Sequence, residues 1–223
     1  MGKLIVIEGL DGSGKGTQAK HLAERLEKKG KKVRILDFPN YKGKGSALVK
    51  LYLGGELGDD PEATNAYAAS CFFAADRYIS YVTEWKREFE SEDTVFIANR
   101  YTTANAYHQL SKMKHTEWDA FLDWLWDFEF CKLGLPRPES VILLDMPESV
   151  SSALVRSRSK YTGASLDIHE KDEEYLKKCR EAAMYTARKC GWHIVKCADE
   201  NADTPYPMGK ITDLIEKTME NVL

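Results

Sequence analysis

The sequence predicts an α/β fold, a parallel five-stranded sheet flanked by helices. Two observations predict it: five short apolar runs recur along the 223 residues, and a helical pattern separates each from the next. A third, a glycine-rich turn directly behind the first run, predicts which end of the sheet carries the chemistry.

The runs are KLIVIEG at 3–9, KVRILDF at 32–38, DTVFIANR at 93–100, SVILLDMP at 140–147 and WHIVKC at 192–197. Their apolar residues are consecutive instead of alternating and are rich in Val and Ile, the pattern of strands covered on both faces. Helical patterns fall at about 15–29, 45–53, 64–90, 103–111, 116–131, 147–157, 169–190 and 208–222. The 64–90 stretch is long and aromatic. The stretch from His169 opens acidic and closes basic before Gly191, as the helix dipole favours. In TEWDAFLDWLWDFEF (116–130), Trp118, Phe121, Leu122, Leu125, Phe128 and Glu129 share helical spacing and read as core and subunit contact, not as a cofactor site.

Composition narrows the function. With 43% hydrophobic residues and neither a repeat nor a linker, residues 1–223 are expected to form one domain with a full core. A net charge of −3 leaves no basic footprint, so a nucleic-acid polymer is not expected as a partner. Cys71, Cys131, Cys179, Cys190 and Cys197 are odd in number and form no C-x-x-C pair, which reads as reduced thiols. The five histidines lack metal-ligand spacing, so no zinc is expected. Met1 leads straight into the first run and no apolar run approaches the roughly 18 residues of a membrane span, so no membrane partner and a cytoplasmic location are expected.

Within IVIEGLDGSGKGTQAKHL (5–22), Gly9, Gly14 and Lys15 match G-x-x-x-x-G-K. A turn of this kind between a strand and a helix surrounds phosphate oxygens with backbone N–H groups, while its lysine bridges the β- and γ-phosphates. Gly9, Gly12, Ser13, Gly14, Lys15, Gly16 and Thr17 are therefore the candidate ATP-binding residues, with Lys15 also catalytic. The pattern asks for Ser or Thr directly after the lysine to hold Mg²⁺, but Gly16 stands there and Thr17 follows. Thr17 becomes the candidate metal hydroxyl, direct or through water. Gly16 is expected to be a place where the loop requires bare backbone.

Other residues point to the acceptor. Asp11 would be repelled by bound polyphosphate unless it faced another partner, such as a sugar hydroxyl; a solvated turn aspartate is the other reading. Phe38 and Pro39 end the second run. Phe73 and Arg77, four apart, share a helix face that can offer a base an aromatic plane and a guanidinium, although Phe73 taken alone reads first as core. Arg100 leaves the carboxyl end of a strand, where open α/β sheets bind ligands.

GLDGSGK (9–15), FP (38–39), FAADR (73–77) and NRYTTANAYHQ (99–109), in that order, resemble the thymidylate kinase family of the nucleoside-monophosphate kinase superfamily, from Lys3 to about residue 200. The resemblance implies a P-loop, NMP-kinase-like three-layer sandwich with a mobile lid. It implies transfer of the γ-phosphate of ATP to dTMP, giving dTDP and ADP, with Mg²⁺, in a homodimer whose interface uses the 64–90 or 116–130 helix. Asp11 would bond the 3′-hydroxyl, Phe73 would stack on thymine, Arg77 would donate to a base carbonyl and Arg100 would hold the dTMP phosphate. Phe38, Pro39, Asn105 and Gln109 would line the acceptor region, about 38–109. Gly12 stands where some members carry an arginine, which assigns the transition-state charge to a lid at about 156–169, where Arg158, then Arg156, are the candidates beside Lys160. Departures from the family pattern are Asn99 in place of Asp before Arg100, Lys42 or Lys44 in place of an arginine after Phe38-Pro39, and Ala104, Tyr107 and His108 in place of Ser, Ala and Tyr. Other readings are a different NMP kinase, a deoxynucleoside kinase with Glu8 as base, and a non-enzymatic P-loop module, against which the intact Lys15 speaks.

Overall fold

The computed structural model describes residues 1–58, 60–162, 173–199, 202–219 and 222, apart from the side chains of residues 61, 157–162 and 173. Five parallel strands, β1 (Lys3–Glu8), β2 (Lys32–Asp37), β3 (Thr94–Asn99), β4 (Ser140–Asp145) and β5 (His193–Lys196), form one sheet in the order β2-β3-β1-β4-β5. Each lies within a residue or two of its expected run. The continuous apolar pattern has its expected cause: on β1, Leu4 and Val6 face one layer and Ile5 and Ile7 the other, and all four are fully buried.

One layer contains α1 (Lys15–Lys28) and α9 (Met208–Thr218), whose Leu22, Leu26, Ile211 and Ile215 cover Ile5, Ile7, Ile97 and Ile142. The other is longer. It holds α2 (Ala47–Leu53), α3 (Ala66–Ser80), α4 (Lys86–Ser91), α5 (Thr102–Leu110), α6 (Trp118–Trp126) and α8 (Glu173–Cys190), with Trp85 and Phe89 packed on Phe96 and with α5 against α8, whereas α7 (Glu148–Thr162) sets Val150 in the cluster of α1 and α9.

Three expected boundaries shift. The 64–90 helix is α3 and α4 joined by a π-helical turn at Tyr81–Trp85, which adds a residue to the turn; Trp85 and Phe89, with Tyr81, pack in the same cluster over the sheet. A second π turn, Asp127–Lys132, closes α6. The helix expected at 147–157 continues to Thr162, so the first part of the expected lid, 156–162, is helical; residues 163–169 lie outside the described residues.

The strand register aligns the functional edge. Ile7 and Asp37 both sit opposite Asn99, so Glu8, Asp37 and Arg100 reach the same carboxyl end. Arg100 turns there with φ 65, the only positive φ of a non-glycine among the described residues.

Beyond α5, Lys112 donates to the Tyr52 hydroxyl at 2.7 Å and to the Thr64 carbonyl at 3.4 Å, with its ammonium 5.1 Å above the Tyr52 ring. Burial lowers its pKa to about 8. The unfolded chain therefore binds more protons than the folded one between about pH 8 and the ordinary lysine value of roughly 10.4, and stability rises with pH across that window. Thermal or urea unfolding at pH 7.5 and 9.5 should show wild type gaining on the order of 2 kcal/mol relative to Lys112→Met, which has no ammonium to discharge. Parallel curves for the two proteins would contradict the assignment.

Candidate active site

The glycine-rich turn leaves β1 and closes on α1. Ser13 N donates to the Leu10 carbonyl at 3.1 Å, and Gly14, with φ 84, stands at the helix N-cap with no side chain capping the first turn. The leading N–H groups of a helix have no intrahelical acceptor, so this end is open to an anion. Lys15 is buried, donates to the Leu10 carbonyl at 2.8 Å and lies 3.8 Å from Asp11. Thr17 is exposed in the first helical turn.

Facing the turn, Arg100 donates through Nη2 to Asp11 Oδ1 at 2.7 Å and through Nη1 to the Tyr107 hydroxyl at 3.2 Å, with His108 Nε2 2.8 Å from Nη1. Burial pushes the Asp11 carboxyl up, but Arg100 and Lys15 outweigh it and hold it far below the usual carboxylate range. Arg100 is held charged in the same way by Asp11. Beneath this pair lies Glu8, fully buried, which accepts from Tyr101 N–H at 3.0 Å, the Thr103 hydroxyl at 2.6 Å and the Tyr107 hydroxyl at 2.8 Å. Burial raises its carboxyl above the ordinary value, against these donors and Arg100.

A cavity of about 760 Å³ runs along the sheet edge. Asp11, Gly12, Ser13, Gly14, Lys15, Gly16, Thr17, Phe38, Pro39, Phe73, Arg77, Arg100 and Asn105 all line it, so the structure brings together most of the residues that the sequence singles out. Phe38-Pro39 is a cis peptide, and Asp76 accepts from Asn40 N–H at 2.7 Å behind it. Phe73 stands edge-on to Tyr52, with centroids 6.0 Å apart.

Several residues are placed otherwise. Gly9 and Gln109 do not line the cavity; Gln109 is fully buried with both amide atoms unpartnered. Lys42 and Lys44 are exposed and stand off the cavity, which Tyr41 lines instead. On α7, Leu154 and Val155 line the cavity while Arg156 is exposed, and the side chains of Arg158 and Lys160 lie outside the described residues. Arg77, expected to face a base, spends Nε and Nη2 on Glu129 at 2.7 and 2.6 Å. Glu129 is buried, as its helical spacing from Trp118, Leu122 and Leu125 predicts, but it is the carboxylate partner of Arg77 behind the cavity and does not itself line it.

A Mg²⁺, which the resemblance implies, would find a modest protein share here. Asn99 Nδ2 donates to Asp37 Oδ1 at 2.9 Å, which fixes the amide and leaves its buried Oδ1 without a partner. That orphaned oxygen and the Thr17 hydroxyl suit a cation carried mainly by nucleotide phosphates and water. No cluster of three or more His, Cys, Asp or Glu that could hold a metal occurs among the described residues.

Comparison with known proteins agrees with this geometry. The model of the thymidylate kinase family matches residues 7–204. The thymidylate kinase of Mycobacterium tuberculosis is 30% identical over 194 residues, covering 85% of this chain and 87% of that protein. A probable thymidylate kinase of Thermococcus gammatolerans is 35% identical over 161 residues, 71% of this chain and 73% of that one. The solved thymidylate kinase of Candida albicans, 20% identical, shares the fold with a TM-score of 0.68 over 99% of this chain and 92% of its own.

Two loop glycines behave differently. At Gly12, with φ 79, an added Cβ would lie 2.3 Å from the Ser151 carbonyl oxygen, so no side chain fits, an arginine included. At Gly16 an added Cβ would meet only Asn99 Nδ2, at 3.5 Å, an ordinary contact; the expected need for bare backbone is not imposed by the protein. Gly16→Ala should therefore leave unfolding stability unchanged or raise it by up to about 1 kcal/mol, whereas Gly12→Ala should lower it by about 1–3 kcal/mol. Denaturant melts of the two variants check the contrast, and equal effects would refute it.

Proposed function

We propose a division of labour among these residues for a chain that belongs to the thymidylate kinase family and transfers the γ-phosphate of ATP to dTMP, giving dTDP and ADP. The observation that carries it is the single cavity joining the phosphate-binding turn to the Asp11–Arg100 pair and to a base end made by Phe73, Arg77 and Asn105.

The open N–H groups of the turn and Lys15 hold the triphosphate of ATP, and Thr17 and Asn99 would be the protein's share of the surroundings of a Mg²⁺, which would supply charge neutralisation there. Arg100 seats the dTMP phosphate. Asp11, kept ionised by two cations, accepts the 3′-hydroxyl on its second oxygen. Phe73 stacks on the base, with Phe38 and Pro39 closing the same end. Gln109 supports this wall from within the helix. The attacking phosphate oxygen is already ionised at neutral pH, so orientation and charge do the catalytic work and no general base is needed. Glu8 fits that scheme: a kinase acting on a hydroxyl would want an accessible base, and Glu8 is fully buried under three donors. Arg158, with Arg156, both on the second half of α7, supplies the further positive charge that the transferring phosphate needs.

The chain works as a cytoplasmic homodimer in this reading. Among the described residues no helix is long and apolar enough to cross a membrane, and Tyr78, Ile79 and Val82 expose an apolar stripe of α3 and the adjoining π turn that a second copy would cover.

A coupled assay with Mg-ATP and dTMP, AMP, UMP or thymidine as acceptor tests the assignment. Turnover of dTMP should exceed that of each of the others by about 100-fold or more in kcat/KM, the range expected where a polar site rejects a mismatched acceptor. A higher value with AMP or thymidine would overturn it.

A further inference from the structure

We infer that Glu129 fixes the hydrogen-bond polarity of the base end, so that the cavity takes a pyrimidine with a ring N–H beside its 4-carbonyl and rejects its 4-amino counterpart. The inference rests on the thymidylate kinase reading above and assigns a positioning residue to it. Glu129 is fully buried. Its Oε1 accepts from Arg77 Nη2 at 2.6 Å and Asn105 Nδ2 at 3.0 Å, and its Oε2 from Arg77 Nε at 2.7 Å and the Thr102 hydroxyl at 2.8 Å.

An ionised carboxylate only accepts, so every group that it touches must present a donor to it. For Asn105 this settles the amide. Its Nδ2 donates to Glu129 and also to the Ser70 carbonyl at 3.2 Å, two acceptors that consume both amide hydrogens. What Asn105 has left to offer a ligand is a carbonyl oxygen. Arg77, with one edge spent on Glu129 and Nη1 3.4 Å from the Tyr101 carbonyl, has only further N–H donors to offer. Both residues line the cavity. A base meeting them needs an acceptor for Arg77 and a donor for Asn105. Thymine supplies these as O4 and N3–H, while cytosine supplies the reverse, N4–H₂ and a bare N3.

The binding-site polarity thus originates in a group that never touches the base. Replacing Glu129 by Gln gives the hub an N–H₂ that can donate to the Asn105 carbonyl, freeing the Asn105 amide to turn its hydrogens toward the cavity. Kinetics with dTMP and dCMP read this out as a ratio of kcat/KM values, which a merely structural loss would not change because it would lower both. Wild type should favour dTMP by about 10³-fold or more. Glu129→Gln should reduce the ratio at least tenfold, and Glu129→Asp, which keeps an acceptor-only hub, should hold it within a few-fold of wild type even where overall activity falls. Asn105→Leu leaves the Arg77–Glu129 pair in place and should also reduce the ratio at least tenfold, so it decides the matter should Glu129→Gln not fold. An unchanged ratio in either Glu129→Gln or Asn105→Leu overturns the inference. Failure of wild type to phosphorylate dTMP would instead overturn the family reading on which it rests.

Discussion

The buried carboxylate of Glu8 is the constraint on which the rest of the site depends. It ends β1 directly before the phosphate-binding turn, and its three donors come from across the sheet: the backbone of Tyr101 after β3 and the hydroxyls of Thr103 and Tyr107 on α5. Burying a carboxylate is costly unless its lone pairs are filled, and here burial raises its pKa despite those donors. The return is geometric. The Tyr101 bond anchors the residue after Arg100, whose φ of 65 is a conformation that a bulky side chain does not hold unsupported. Arg100 therefore arrives at the cavity at a set angle, where Asp11 meets it at 2.7 Å. Asp11 in turn belongs to the loop that carries Lys15, so donor and acceptor halves of the cavity are linked through one ion pair and one buried acid.

A second buried carboxylate does the same for the far end. Glu129 gathers Arg77, Thr102 and Asn105 from two helices, as Glu8 gathers the start of α5. Between them α5 is pinned on two faces, by Thr103 and Tyr107 to Glu8 and by Thr102 and Asn105 to Glu129, so the side chains that it turns to the cavity, Asn105 among them, are fixtures of the fold. Charge buried in this way costs stability compared with an apolar core of equal volume, and it persists where geometry is worth more than stability.

Much of this was legible in the sequence, for reasons that vary by residue. The strands were readable because burial on both faces writes itself as continuous Val, Ile and Leu, and the loop because glycine spacing reports backbone shape directly. Arg100 and Asp11 could be placed at the ligand-binding edge from their positions at a strand end and in a phosphate loop, and both line the cavity. Glu129 could be read as far as its burial, since helical spacing puts it on the stripe of Trp118, Leu122 and Leu125, but its pairing with Arg77, 52 residues away in sequence, is encoded in no local pattern. The Asp37–Asn99 bond and the three partners of Glu8 depend on strand register, which no local pattern encodes. At Gly16 a missing side chain in the sequence does not reveal whether the protein leaves space for one; it does, so a demand for bare backbone there comes from a phosphate in the loop and not from the loop's own neighbours. A long amphipathic pattern likewise hides where a helix ends, and α7 runs five residues past the boundary that its pattern suggests, from 157 to 162.

The dependence on Glu8 is open to direct measurement by titrating purified Glu8→Gln with dTMP and, separately, with an ATP analogue. The amide brings an N–H₂ against donors that need an acceptor, so the Arg100 turn loses its support while the glycine loop retains its own bonds. Calorimetry should show dTMP affinity falling by about 10- to 100-fold, on the order of 1.4–2.8 kcal/mol, with nucleotide-analogue affinity within a few-fold of wild type. Unchanged dTMP affinity in a folded Glu8→Gln protein would contradict the account, because Arg100 would then hold its place without the carboxylate beneath it.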